Sequence, residues 1–340
     1  MIVLYIILAI FIFGFMIFIH ELGHFMFAKL FKVTINEFSI GMGPKIISKK
    51  GKDNVSYSLR LLPFGGFVSM AGEDDESDDP NAFNKKAAWK RFIIVAAGAM
   101  MNLLIGVIIM TILTATTPKF GTTVIAVTEG TQSDIYFDDR DEIIKIGNTR
   151  VHTARELSYE IMRQGYKEVD VTIIRNGEEM VIENVQFPTT TSEGVVFGAI
   201  DFKVYPEEKS FQSVVKNTFY SCKSTIKMVY DSLFDLISGR YGIEHVSGPV
   251  GVTGAITQAA QTDVYSLFYL IVVISMNLGI FNLLPIPALD GGSLLLLLVE
   301  MIIRKPIPQK IEYAIKAVGF ALIMGLAVII MLKDVIFLFK

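Results

Sequence analysis

Phe13-Gly14-Phe15-Met16-Ile17-Phe18-Ile19-His20-Glu21-Leu22-Gly23-His24-Phe25-Met26-Phe27 decides how the rest of this chain is read. The run is as apolar as a membrane span, yet it carries two histidines and a carboxylate in the order His-Glu-x-x-His. On an α-helix, residues i and i+4 lie one turn apart on one face, so His20 and His24 can direct their imidazoles at one metal ion with Glu21 beside it. Ionisable side chains inside a spanning helix cost roughly 2 to 3 kcal/mol each on insertion scales, so two histidines placed there merely to be satisfied explain the pattern poorly. The spacing predicts a zinc site of the protease type inside a hydrocarbon segment.

Outward from that run, the 340 residues are 52% hydrophobic, too apolar for an ordinary soluble protein and enough for several spans plus a small domain. A net charge of -3 gives no footprint for nucleic acid, and the basic residues cluster beside apolar spans, so no nucleic acid partner is expected. The one cysteine, Cys222, cannot form an intrachain disulfide and reads as an inert side chain. The N-terminal run lacks a basic leader and a small-residue cleavage site and holds the metal motif itself, so it is expected to be retained.

Span one runs from about Ile2 to Ala28, and Lys29 and Lys32 mark the water boundary just past the motif. Lysines and arginines continue through Arg91, which by the positive-inside rule puts this segment in the cytoplasm and the N-terminus outside. Within it, Phe38 to Ile47 and the alternating Val55 to Leu61 flank the turn Gly51-Lys52-Asp53-Asn54, predicting a β-hairpin. Glycines and prolines at its ends suit a hairpin that dips into the membrane and offers a strand edge to an extended peptide, or one that only plugs a gap between helices. The acidic run from Glu73 to Asp79 reads as a solvated loop. Span two follows from Phe92 to about Thr116, anchored by Trp89, Lys90 and Arg91, with Gly98 and Asn102 available for packing or a hydrogen bond.

Residues 121–205 change to the character of a water-soluble α+β domain. Thr122 to Val127 and Asp141 to Ile146 read as strands, Thr153-Ala154-Arg155-Glu156 as a capping box opening a helix closed by Gly165, and Asn176-Gly177 as a hairpin turn between Val169 to Ile173 and Met180 to Ile182. This pattern resembles a bacterial PDZ domain, with Arg140 where a glycine is usual and Thr131 to Tyr136 in place of the usual small-residue run. A steric filter over the active-site mouth fits these departures as well as peptide-tail binding does. His152 reads as a surface histidine, Phe211 to Tyr241 as an amphipathic connector, Ser247 to Gly251 as a tight loop, and His245 as a minor candidate ligand.

Span three, from about Val264 to Leu284, breaks into Asn282-Leu283-Leu284-Pro285-Ile286-Pro287-Ala288-Leu289-Asp290-Gly291-Gly292. Broken backbone at membrane depth is tolerated where it lines a cavity. A catalytic zinc takes three protein ligands, and Asp290 is the carboxylate placed to supply the third; a helix cap is the plainer use of that residue. Ile311 to Leu332 makes span four.

On these motifs the chain resembles the site-2 protease family of intramembrane zinc metalloproteases, in the bacterial branch of the regulator-of-sigma-E protease type. The resemblance implies a polytopic α-helical membrane protein with four transmembrane helices, a cytoplasmic-side membrane-associated β-hairpin at about 35–70 and one inserted PDZ-like domain. Its expected divisions are 1–120, 121–205, 206–262 and 263–340. It implies Zn²⁺ held by His20, His24 and Asp290, catalysis by Glu21, and substrate positioning by Asn282, Pro285 and Pro287. It further implies residence in the bacterial cell membrane and cleavage of single-span proteins such as anti-sigma factors or signal peptide remnants. Two other readings compete: a metal-dependent transporter or sensor, for which spans two and four offer few polar residues, and a non-catalytic scaffold presenting the PDZ-like domain, which leaves Glu21 without a purpose.

Overall fold

The computed structural model describes residues 2–73, 77–192, 194–242 and 246–338; His245 and the centre of the acidic run lie outside them. In chain order the elements begin α1 (Ile2–Leu30), β1 (Ile35–Lys50), β2 (Ser56–Met70), α2 (Ala88–Thr116), β3 (Lys119–Ala126), β4 (Glu142–Ile146), β5 (Thr149–Arg150) and α3 (Ala154–Gln164). They continue β6 (Val169–Arg175), β7 (Glu178–Val185), β8 (Thr189–Ser192), β9 (Val195–Gly198), β10 (Lys203–Glu208), α4 (Phe211–Ile237), α5 (Pro249–Thr262), α6 (Val264–Leu283), α7 (Asp290–Ile303) and α8 (Gln309–Leu338). Two compact units result: Met1–Gly106 with Val246–Lys340, and Val107–His245.

In the first unit α1, α6 and α8, together with α2, are long and apolar enough to cross a membrane, which makes this a polytopic membrane protein. Small residues set how closely α1 and α2 approach: a Cβ on Gly23 would stand 2.3 Å from the Ala97 carbonyl oxygen. The hairpin strands extend beyond the predicted limits and bend at Gly41, Gly43 and Gly65, each with φ between 83° and 86°. The bends fold the ribbon on itself, so that Phe38 is paired with Tyr57 on one side and Val68 on the other. Phe38 also packs edge-on against Phe18, fastening the hairpin to α1. Glu37 ties the ribbon together: it accepts from the Ser58 hydroxyl, from Arg60 Nη2 at 2.9 Å and from Lys45 Nζ at 2.9 Å. Burial works against the charge, but these three partners outweigh it and hold the Glu37 carboxyl down at about 2.

One expectation fails here. Ser247 to Gly251 is not a free loop, because Pro249 opens α5. Gly248-Pro249 is a helix-start pattern, and the apolar face of the helix buries Ile256 against Ala9 and Ile12 of α1. The Gly251 amide donates to the buried Asp334 carboxylate at 3.2 Å, satisfying one of the unpaired amides of the first turn.

The second unit is an α+β body. Its sheet runs β10-β3-β4-β6-β7, with β5 paired to β4, and α3 buries Leu157 and Ile161 against Ile143, Ile146 and Val171. Thr153 caps α3, accepting from the Glu156 amide at 3.3 Å; the Glu156 carboxylate reaches back to the His152 amide at 2.8 Å rather than to Thr153. His152 is consequently half-buried, stacked on Tyr220 with ring centroids 4.1 Å apart. Asn176 and Gly177, both at positive φ, make the predicted turn between β6 and β7. Cys222 is buried and burial pushes its thiol up to about 11, which suits an inert side chain.

Candidate metal centre

The uninterrupted apolar sequence of α1 keeps it helical through His20 and His24, and one turn of helix brings their Nε2 atoms to 3.2 Å. Both residues are only 9% exposed. Asp290 reaches the same point from α7, its Oδ2 lying 3.1 Å from His20 Nε2 and 3.3 Å from His24 Nε2. Asp290 begins α7 but does not cap it: Leu289 holds the cap position and no side chain bonds to the helix end. The carboxylate is thereby left for the histidines.

The two glycines after Asp290 are dictated by the chain reversal before it. A Cβ on Gly291 would stand 1.9 Å from the Leu284 carbonyl oxygen, and one on Gly292 would stand 2.6 Å from that of Ile286. The turn folds back over the first residues of α7, and only hydrogen at those positions admits it. Ala288, at φ 75°, takes the left-handed conformation that completes the reversal. Asn282, Pro285 and Pro287 all lie in or just before this turn; Pro287 is wedged against Gly319 of α8.

Helix α2 supports the cluster from behind. His24 Nδ1 donates to the Ile94 carbonyl at 2.9 Å, which commits its proton to Nδ1 and leaves a lone pair on Nε2. Gly98 gives both rings room: a Cβ there would come within 2.2 Å of His24 Nε2 and 2.9 Å of His20 Cε1. Asn102, wholly buried, lies with Nδ2 3.4 Å from His20 Nδ1. Arg91, one of the expected anchors of span two, is part-buried in an ion pair with Glu300 of α7, beside the contact of Val95 with Leu294 and Leu297. Ile94 and the Arg91–Glu300 pair escape a reading of sequence. The spacing of Arg91, Gly98 and Asn102 along one helical face is the signal that could have found part of this support.

Glu21, next to His20 on α1, faces the hairpin edge. A Cβ on Gly66 of the hairpin would stand 3.3 Å from the Glu21 Cγ.

The donor set fits a zinc ion. Metal–ligand bonds of about 2.0 Å at tetrahedral angles set ligand atoms roughly 3.3 Å apart, the spacing found among the three atoms. Asp290 Oδ2 is buried and receives no hydrogen bond of acceptable geometry. Two imidazoles and a carboxylate that direct lone pairs at one point, with a fourth direction left for water, make a catalytic rather than a closed structural set. Among the described residues this is the cluster of three potential ligands that the structure assembles.

Residues 8–326 match the family described as Peptidase family M50. A Clostridium perfringens protein named "Putative zinc metalloprotease" is 36% identical over 337 residues, covering 98% of this chain and 99% of its own. A Fusobacterium nucleatum protein with the same descriptive name is 32% identical over 345 residues, at 98% and 99% coverage. The Bacillus subtilis regulator of sigma-W protease RasP is 28% identical over 412 residues, at 95% and 96%.

Proposed function

The chain belongs to Peptidase family M50 and is an intramembrane zinc metalloprotease, and on that premise we propose that His20, His24 and Asp290 hold the zinc ion and Glu21 is the catalytic base. The observation that carries this is the convergence of three lone-pair-bearing atoms, 3.1 to 3.3 Å apart, in a buried site. These three residues would hold the ion, and the chemistry it would supply when bound is Lewis-acid activation of the attacking water and of the scissile carbonyl. The Glu21 carboxylate takes the proton of that water and delivers it to the leaving amine. The Asn282 amide is assigned to the oxyanion, and Pro285 and Pro287 hold the turn that presents it.

A helical substrate hides its peptide bonds in its own hydrogen bonds and must unwind before cleavage. The hairpin is assigned the reception of the extended strand: its edge runs past Glu21, and its exposed Ile40, Met42, Ile46 and Ile47 suit a membrane-dipping position. Lys29 lies nine positions after His20, so the site lies about 14 Å along the helix from its basic end. With the basic segments inside, that end is cytoplasmic and the N-terminus lies outside the cell membrane of a bacterium. The inserted α+β unit is assigned a PDZ-like filtering role. The substrate class assigned on this reading is single-span membrane proteins of the anti-sigma-factor kind; the Bacillus subtilis relative is named as a regulator of sigma-W protease.

The test is co-expression with a single-span reporter carrying such a helix. Wild type shortens the reporter; Glu21→Gln leaves it intact while retaining zinc. Cleavage by Glu21→Gln removes Glu21 from the mechanism.

A further inference from the structure

Asn102 has one unexplained atom. Its side chain is fully buried, Oδ1 has no hydrogen-bond partner, and Nδ2 is aimed at His20 Nδ1 from 3.4 Å. The residue is held from the other end, where its backbone carbonyl accepts from Ser275 Oγ at 2.7 Å, so the sense of the amide is the freedom left to it. An imidazole that presents Nε2 to a metal carries its proton on Nδ1. With Nδ2 toward the ring, two donors confront each other and a buried acceptor has nothing to accept. Amide oxygen and nitrogen are told apart only by their hydrogen-bond network. A half-turn of the amide puts Oδ1 where Nδ2 stood and makes it the acceptor that Nδ1–H requires.

We propose that Asn102 is the positioning residue of His20, its Oδ1 accepting the Nδ1 proton so that Nε2 is locked toward the metal. The inference rests on the zinc reading of the cluster. It also completes a pattern. The Ile94 carbonyl takes the Nδ1 proton of His24 at 2.9 Å, and Asn102, two turns further along α2, takes that of His20. Gly98, midway between them, is the surface against which both rings lie. One face of α2 then orients both histidine ligands from behind, and a partner of this kind changes metal affinity by about 10- to 100-fold.

The experiment is competition for Zn²⁺ between a chromogenic chelator and the full-length protein in detergent, stripped of metal beforehand. Wild type is expected to take up one equivalent. Asn102→Leu, of similar volume and with no acceptor, is expected to bind about 10- to 100-fold more weakly. Asn102→Asp can only accept, so it is expected to stay within about threefold of wild type or to bind more tightly. Leu at wild-type affinity overturns the proposal, as does an Asp variant that loses zinc. If the Leu variant fails to accumulate, the Asp variant alone decides between acceptance and donation. Absence of zinc binding by wild type would instead defeat the reading of the cluster, which keeps the two failures apart.

Discussion

In the α+β unit every buried charge near α3 meets an opposite one. Arg163 reaches Asp231 and Asp235, each at 3.3 Å, and Lys227 reaches Glu160 at 2.8 Å and Asp231 at 2.6 Å. In the membrane unit His20, His24 and Asp290 direct three lone-pair-bearing atoms at one point, and among the described residues no lysine or arginine joins them. The first arrangement is complete as it stands and serves stability. The second gathers lone pairs in a buried place, and a set of that kind persists because the surrounding structure over-determines it. The same unit pairs Arg91 with Glu300 and Glu37 with both Arg60 and Lys45, so ion pairing of the first kind is also used there, away from the metal cluster.

The largest effect that sharpens this contrast belongs to Gly98→Ala. A methyl group there would press on His24 Nε2 from 2.2 Å, so the rings must leave the positions that converge with Asp290. Displacement of about 1 Å at a reacting centre costs on the order of 100-fold in rate, and we expect at least that loss of reporter cleavage together with loss of bound zinc. Gly254→Ala is the control, since a Cβ there has nothing within 4 Å and the residue lies within α5, where alanine favours the helix. Equal zinc content in the two variants would break the claim that α2 shapes the site.

A smaller effect is expected at Glu37, which follows the paired rule within the membrane unit. Its carboxyl sits near 2 in the folded hairpin, below its ordinary 4.5. The depressed value means that its stabilisation is fully present above about pH 4.5 and is lost as pH falls towards 2. Amide protection in β1 and β2, corrected for the intrinsic pH dependence of exchange, should fall across that window in wild type. Glu37→Gln should exchange faster already at neutral pH and show less of the acid step. An unchanged step in the variant assigns the acid response to another group.

How much of this was legible beforehand depended on whether a residue type has one use or several. A histidine pair one turn apart in an apolar run has few uses, and so has an aspartate between two prolines and two glycines; the structure brings these residues to one point. Small residues have many uses. Gly248-Pro249 reads as a loop although it starts α5, and Gly98 and Asn102 read as packing residues before a hydrogen bond is considered. Alternation predicted the hairpin strands, but a period of two does not reveal that Gly41, Gly43 and Gly65 bend the ribbon on itself. The Ile94 carbonyl that orients His24 leaves no trace in the sequence, because every residue offers the same backbone group.

The smallest effect lies in the α+β unit, at Arg140, where the sequence departs from the PDZ pattern by lacking a glycine. Its φ is 71°, the left-handed region, and its amide donates to the Ile125 carbonyl at 2.9 Å, so the turn into β4 demands that conformation whatever residue occupies it. The guanidinium lies 5.3 Å from the Tyr205 ring centroid, an exposed contact that offsets part of the backbone cost. Removing the contact and the strain separately distinguishes them: Arg140→Ala loses the first and keeps the second, whereas Arg140→Gly loses both. We expect the glycine variant to exceed the alanine variant in stability by about 1 kcal/mol, followed by denaturant unfolding of the α+β unit. If alanine matches glycine, Arg140 stores no strain; if glycine exceeds alanine but falls below wild type, the stacked guanidinium outweighs the backbone cost at this turn.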